Sequence, residues 1–502
     1  MGETMLIPAN RIWTALNDEF AKLQAYIADS SVDGSAAMSI ANALQLLFNR
    51  ETGGVAALHA RAAQLDAVLA RMQDILRAAA PQAVEELAAI RASLHELKEA
   101  GQALPACENA WRNALVRLQA VVASVNAQAA LPASAKAALA RELAGWESAY
   151  LLAQAGQGNA AASTGQTTEI TRDNLSAYLQ DRFDEPGLRV SAFQPLAGGY
   201  GKQTVLFDVD GKALSGSFVM RRDIGSKPSV ANDCHLIRDE FPVIKAAHAR
   251  GFPAPEAVWL DTEHRLLPGG DFIVMRRSPG KLPGNFFGAR SQVPESLASS
   301  LADVMAQLHT MQPLTELGDL TESICTQRWN MSRGECTALY IRSWYELYLK
   351  TEHTPSPALT AIYGWLLDNG PMRAGRPSLL HGDIGFHNFL FDEDRLSAVL
   401  DWEFAHVGDP AEELGYVSVT VGGSLDWAQL MQRYIEGGGE PVDDATMCFF
   451  KVWAYARNAT GANLLSTLFS TGHAADLKLA ILPVAHIPHF IRGAQALIDE
   501  RA

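Results

Sequence analysis

Between residues 8 and 154 apolar side chains recur at every third or fourth position, as at Leu65, Val68, Leu69, Met72, Ile75 and Leu76. That spacing is the stripe of an amphipathic helix, and the abundance of Ala, Leu, Gln and Glu favours the same conformation. Breaks at Gly53-Gly54, Pro81, Gly101 to Pro105 and Leu131-Pro132 divide the region into about five or six helices. Short connections between such helices predict an antiparallel all-α bundle over residues 1–154. Residues 155–169, AGQGNAAASTGQTTE, offer nothing to bury and read as a flexible linker.

Beyond the linker the period changes. Residues 190–193, 203–209 and 217–220 read as strands, with turn chemistry at Gly198-Gly199 and Asp210-Gly211. A helix is expected over about 230–250, ended by Pro253 and Pro255, then strands near 257–260 and 272–275. From Pro294 the pattern is again helical, interrupted by strand-like runs at 378–381, 388–391 and 398–400. The expected fold is α+β: a small antiparallel sheet lobe (170–280) and a helical lobe (281–502), preceded by the bundle. That outline is kinase-like and bilobal.

Composition narrows the function classes. A net charge of −15 lacks the basic face that nucleic acid requires. Apolar content of 48% with 19% charged residues is ordinary for a soluble globular chain. No run approaches the ~20 apolar residues that span a bilayer. Five scattered cysteines without a CxxC pair fit a reducing compartment, so a cytoplasmic location is expected. His486-Ile487-Pro488-His489 has no Cys or carboxylate cluster beside it and reads as packing rather than a zinc site.

The chemistry concentrates in His381-Gly382-Asp383-Ile384-Gly385-Phe386-His387-Asn388, followed by Leu400-Asp401-Trp402-Glu403. Phosphoryl transfer needs a carboxylate beside the incoming hydroxyl and oxygen ligands that hold Mg²⁺ against the phosphates. Asp383 and Asn388, five positions apart, and Asp401, thirteen beyond Asn388, supply that set if the intervening apolar runs form a hairpin. HGDxxxxN, then LDWE, then His406-Val407-Gly408-Asp409-Pro410, resembles the aminoglycoside-phosphotransferase and choline-kinase superfamily. The closest flavour is the branch related to the kinase-like domains of certain acyl-CoA dehydrogenases. The resemblance implies ATP and Mg²⁺, with Asp383 as catalytic base, Asn388 and Asp401 as metal ligands, and His381 and Asp409 shaping the loop.

Upstream, Gly198, Gly199 and Gly201 let backbone N–H groups approach phosphate without a Cβ in the way. By the resemblance, Arg221 stands where the superfamily carries a phosphate-pairing Lys or Arg, and its fork suits phosphate oxygens. Arg222 faces the other side of the strand. Glu240 is the expected carboxylate orienting Arg221, with Asp239 its competitor. Met275 and Arg277 mark the hinge whose backbone would meet adenine. The implied activity moves the γ-phosphoryl group of a nucleotide, ATP or GTP, to a hydroxyl of a small molecule. Absent HRD, DFG and APE signatures argue against a protein kinase. An antibiotic kinase of aminoglycoside or macrolide type and a non-catalytic nucleotide-binding module remain open. The bundle is expected to serve docking or homo-oligomerisation.

Overall fold

The computed structural model describes residue 15 and residues 34–99, 103–129, 131–155, 170–196, 202–223, 236–264, 266, 270–284, 292–314, 327–351, 353–471 and 477–501. Residues 156–169 of the expected linker lie outside the described residues, as do Gly198, Gly199 and Gly201. The chain opens with helices α1 (Gly34–Leu76), α2 (Pro81–Glu99), α3 (Leu104–Asn126), α4 (Ala133–Ala155) and α5 (Arg172–Phe183). Strands β1 (Arg189–Leu196), β2 (Lys202–Asp210) and β3 (Gly216–Asp223) precede α6 (Ile237–Ala249), β4 (Ala257–Asp261) and β5 (Phe272–Arg276). Helices α7 (Glu295–Thr310), α8 (Arg333–Lys350) and α9 (Pro357–Asn369) follow. Next come β6 (Ser378–Leu380), β7 (Phe389–Asp392), β8 (Arg395–Val399) and β9 (His406–Gly408). The chain ends in α10 (Pro410–Thr420), α11 (Trp427–Glu436), α12 (Asp444–Ser470), α13 (Leu477–Ala485) and α14 (Ile487–Asp499). Among the described residues no helix is long and apolar enough to cross a membrane.

Two compact units emerge, and they cut across the expected boundaries. The first gathers residues 1–163, 345–370 and 452–502; the second, 164–344 and 371–451. The bundle is thus not closed by itself at residue 154, and the helical lobe expected over 281–502 is shared out. The reason is burial. In the first unit the stripe Leu65, Leu69, Met72 and Leu76 is at most 1% exposed, as the periodicity predicts. But α3 and α4 also carry a second, polar seam that takes up α9. The N-terminus of α9 offers its first N–H groups, which need acceptors. The carboxylate of Glu147, 3% exposed, takes the Ala358 N–H at 2.9 Å and the Ser356 hydroxyl. Gln119 Oε1 takes the Ser356 N–H at 2.9 Å, and Asn126 donates to the Thr360 carbonyl at 2.7 Å. At the other end of α9, Lys136 pairs with Asp368 at 2.7 Å. A Cβ on Gly364 would lie 2.1 Å from Asn126 Oδ1, so glycine permits the close approach of α9 to α3.

The second unit holds an antiparallel sheet of order β1-β2-β3-β5-β4. Alternation along the strands gives it two apolar faces. Phe207, Phe218, Met220, Phe272 and Val274 pack beneath α5, a helix the sequence reading did not single out. Ile273 and Met275 point the other way, into a core with α6, α7 and the segment around Ile384, Phe386 and Trp402. Strand β7 pairs with β8 and β6 with β9, both antiparallel.

Candidate active site

The loop after β6 is fixed by backbone geometry before any ligand enters. Gly382 has φ +80°, and a Cβ there would stand 2.2 Å from the Phe404 carbonyl oxygen, so no side chain fits. Its N–H is donated to Glu413 Oε1 at 2.7 Å. His381 is fully buried, donates from Nε2 to the Leu400 carbonyl at 2.9 Å, and accepts the Asp383 N–H on Nδ1 at 3.3 Å. Burial holds its pKa down, so the neutral tautomer these bonds require is the stable one.

Asp383 is held at both oxygens. Oδ2 accepts from Asn388 Nδ2 at 3.1 Å and faces His387 Nε2 at 3.2 Å, while Oδ1 accepts from the Tyr416 hydroxyl. Burial pushes the His387 pKa down, but its hydrogen bond to Asp383 and the charge of that carboxylate leave it raised. Asn388 sends its amide hydrogens to the Asp383 carbonyl, at 2.9 Å, and to Oδ2. That leaves Oδ1 as the amide's acceptor group.

The hairpin β7–β8 returns the chain as expected. The Leu400 N–H reaches the Asn388 carbonyl at 2.7 Å, and Asp401 follows in the left-handed region at φ 67°. A non-glycine residue is uncommon there, and Asp is among those that tolerate it. Asp401 Oδ1 accepts from Arg221 Nη2 at 2.7 Å, and Arg221 Nη1 meets Glu240 Oε1 at 2.5 Å. Glu240, not Asp239, is therefore the partner of Arg221, and Arg222 turns toward Gln203 instead. Burial alone would lower the Arg221 pKa, but the Asp401 and Glu240 charges outweigh it and raise it. Glu240 is fully buried, and burial drives its pKa upward against the pull of Arg221.

Arg221, His387, Asn388 and Asp401 line one cavity of about 600 Å³, while Asp383 and Glu240 stand behind that lining, bonded to Asn388 and Arg221. Its apolar part is built by Leu206, Val219, Ile244, Met275, Leu390 and Leu400; its polar end by Lys202, Arg221, Asn388 and Asp401. Met275, 4% exposed, is paired with Val219 and Ala257 on the two neighbouring strands. Arg277 also lines the cavity, but its N–H is already donated to the Ser217 carbonyl at 3.0 Å. A base reaching Arg277 would meet a backbone donor in use.

Four participants lacked a role in the sequence reading. His387 and Glu403 stood inside quoted motifs without one. Glu403 lines the cavity beside Asp401, and burial, then the Asp401 charge, push its pKa up to about 8. Lys202 lies opposite Asp223 in the β2–β3 register and bonds it at 2.6 Å. Tyr416, distant in sequence, gave no signal at all.

The donor set fits Mg²⁺. Among the described residues no group of three or more His, Cys, Asp or Glu side chains could hold a metal by itself. Mg²⁺ in phosphate-transferring sites takes one or two protein oxygens and completes its shell with phosphates and water. The Asn388 amide oxygen and the Asp401 carboxylate are oxygens of that kind on one cavity wall.

Residues 192–450 match the phosphotransferase enzyme family (APH), just over half of the chain. The chain belongs to this family. The matched span runs from β1 into α12 and contains every site residue named above. Acyl-CoA dehydrogenase family member 11 of Rattus norvegicus is 27% identical over 265 residues, covering 50% of this chain and 33% of that protein. Family member 10 of Mus musculus is 27% identical over 262 residues, covering 50% of this chain and 22% of that one. The chain thus spans a third or less of the length of these two relatives. A macrolide 2'-phosphotransferase from Brachybacterium faecium is similar in structure, with TM-score 0.40 and 20% identity, covering 62% of this chain and 97% of that one. In this family member the segment from His381 to Glu403 and the Arg221–Glu240 pair lie in the same compact unit.

Proposed function

We propose that the protein transfers the γ-phosphoryl group of ATP, bound with Mg²⁺, to a hydroxyl of a small molecule. The observation that carries this reading is the Glu240–Arg221–Asp401 bridge, at 2.5 and 2.7 Å, on the wall shared with Asn388. A cation held by a buried carboxylate beside two oxygen ligands suits a metal-bound polyphosphate. The apolar slot between Leu206, Val219 and Leu390 suits a flat base. Asp383 accepts the proton of the attacking hydroxyl, while Asn388 and Asp401 offer the oxygens that would hold the metal. Bound Mg²⁺ would supply neutralisation of phosphate charge. Arg221 keeps its full charge whatever the pH, so phosphate meets a permanent cation there.

The acceptor we favour is neutral or anionic with an apolar body, such as a hydroxyacyl-CoA or a hydrophobic alcohol. Residues 445–493 carry Asp476 against Lys451, Arg457, Lys478 and Arg492, a net charge of +3. A polycationic aminoglycoside would have to be desolvated there without partner carboxylates. Similarity to acyl-CoA dehydrogenase family members supports the same direction by analogy. The test is a panel of hydroxyacyl-CoA esters, alcohols and antibiotics incubated with Mg·ATP and read by mass spectrometry for phosphate addition. Faster phosphorylation of a kanamycin-like compound than of every ester and alcohol would overturn the acceptor class.

A further inference from the structure

Helix α10 reaches the catalytic loop twice from one face. Residues three apart on a helix are neighbours, and Glu413 and Tyr416 stand in that relation. Glu413 Oε1 takes the Gly382 N–H at 2.7 Å, and the Tyr416 hydroxyl is donated to Oδ1 of the next residue, Asp383. The helix is itself firmly seated. Asp409 caps it by accepting the Ala411 N–H at 3.0 Å and faces Arg373 at 3.1 Å. Glu413 Oε2 is bonded to His309 at 2.8 Å, and His309 to the Tyr434 hydroxyl at 2.9 Å.

An aspartate carboxylate is joined to its chain by an sp³–sp² torsion, which is broad and roughly two-fold. With donors on one oxygen only, the plane of the carboxylate can swing. Asn388 and His387 both address Oδ2. Tyr416 is the partner that ties Oδ1 to a rigid helix. We infer that Tyr416 is a positioning residue for phosphoryl transfer: it fixes the plane of the Asp383 carboxylate against the acceptor hydroxyl. The inference rests on the kinase reading above. A misplacement of about 1 Å in such a site costs on the order of 10²-fold in rate, and loss of one tether should cost part of that.

The test is Tyr416→Phe in the full chain. It keeps the ring of a residue only 5% exposed and removes the hydroxyl alone. We expect kcat to fall about tenfold to a hundredfold, with KM for nucleotide and acceptor within about twofold, as for a loss felt in the chemical step and not in substrate binding. Melting temperature and Mg·ATP affinity, measured alongside, should match the wild type and show that the variant is folded. The deciding measurement is a double-mutant cycle with Asp383→Asn. If Tyr416 acts through Asp383, Tyr416→Phe has little further effect in the Asp383→Asn background. A wild-type kcat for Tyr416→Phe, a loss confined to KM, or full multiplicative effects in the cycle would each overturn the inference while leaving the kinase reading intact. A wild type that phosphorylates no acceptor would remove both.

Discussion

Replacing Arg221 by Met isolates the energetics of the site. The substitution strands Glu240, which is fully buried, and leaves Asp401 without its guanidinium; Asp401 is 38% exposed, so water can take over much of that loss. Glu240 has no such recourse. Breaking a buried pair commonly costs about 3–5 kcal/mol, but a stranded carboxylate can escape by binding a proton. At pH 7, protonating a group whose ordinary pKa is 4.5 costs about 3.4 kcal/mol, at about 1.36 kcal/mol per unit. That value is a ceiling on the Glu240 contribution. The folded variant then binds one more proton than its unfolded chain, so its stability must fall as pH rises above 4.5. The expected destabilisation is at most about 3 kcal/mol at pH 7 and smaller at pH 5.5, the more so because the Glu240 pKa is already raised in the wild type. Urea unfolding of wild type and variant at both pH values measures it. Arg221→Met/Glu240→Leu should recover most of the loss at pH 7 without recovering Mg·ATP binding. A loss equal at both pH values, or one that the second substitution leaves untouched, refutes the account of a buried carboxylate held by Arg221.

Asp401→Ala should weaken Mg·ATP binding in calorimetry while leaving binding of metal-free adenosine unchanged; equal loss of both would remove Asp401 as a metal ligand. Deleting residues 1–160 should yield an insoluble or unfolded chain, because α9 and α14 lose α3 and α4; a soluble, nucleotide-binding truncation would contradict the shared core. Glu147, raised to about 7 chiefly by burial, favours folding in its protonated form, with the benefit complete below pH 4.5 and gone as pH rises through 7. Glu147→Gln should therefore change in stability relative to wild type by about 3 kcal/mol between pH 4.5 and 8, and a constant difference across that range would show that the group does not titrate on unfolding.

The proximity of Asp383, Asn388 and Asp401 was legible because they share one short segment. Asp383, Asn388 and Asp401 lie within nineteen residues, and the apolar runs between them could only return as a hairpin. Strand parity separated Arg221 from Arg222, whereas Glu240 and Asp239 were told apart only by the bond from Arg221 to Glu240. What stayed hidden depended on tertiary contact. Tyr416 meets Asp383 across 33 positions, from a helix whose pattern announces only packing. Lys202 acquires meaning only through the register that sets it against Asp223. The partition of the chain was misjudged for a related reason. A polar stretch of small residues at 155–169 marks a break in the sequence pattern, not which helices share a core. Glu147, Gln119 and Asn126 look like ordinary polar helix residues until α9 is laid across them. Sequence position likewise could not show that the Arg277 backbone N–H is bonded to the Ser217 carbonyl.

The central claim is that Asp383 is the base of a phosphoryl transfer and not a nucleotide ligand, and Asp383→Asn tests it most directly. Single-turnover transfer to the best acceptor should fall by about 10²–10⁴-fold, since an amide cannot take the hydroxyl proton, while Mg·ATP affinity stays near that of the wild type. Turnover within a few-fold of wild type, or a loss explained entirely by weaker nucleotide binding, would contradict it.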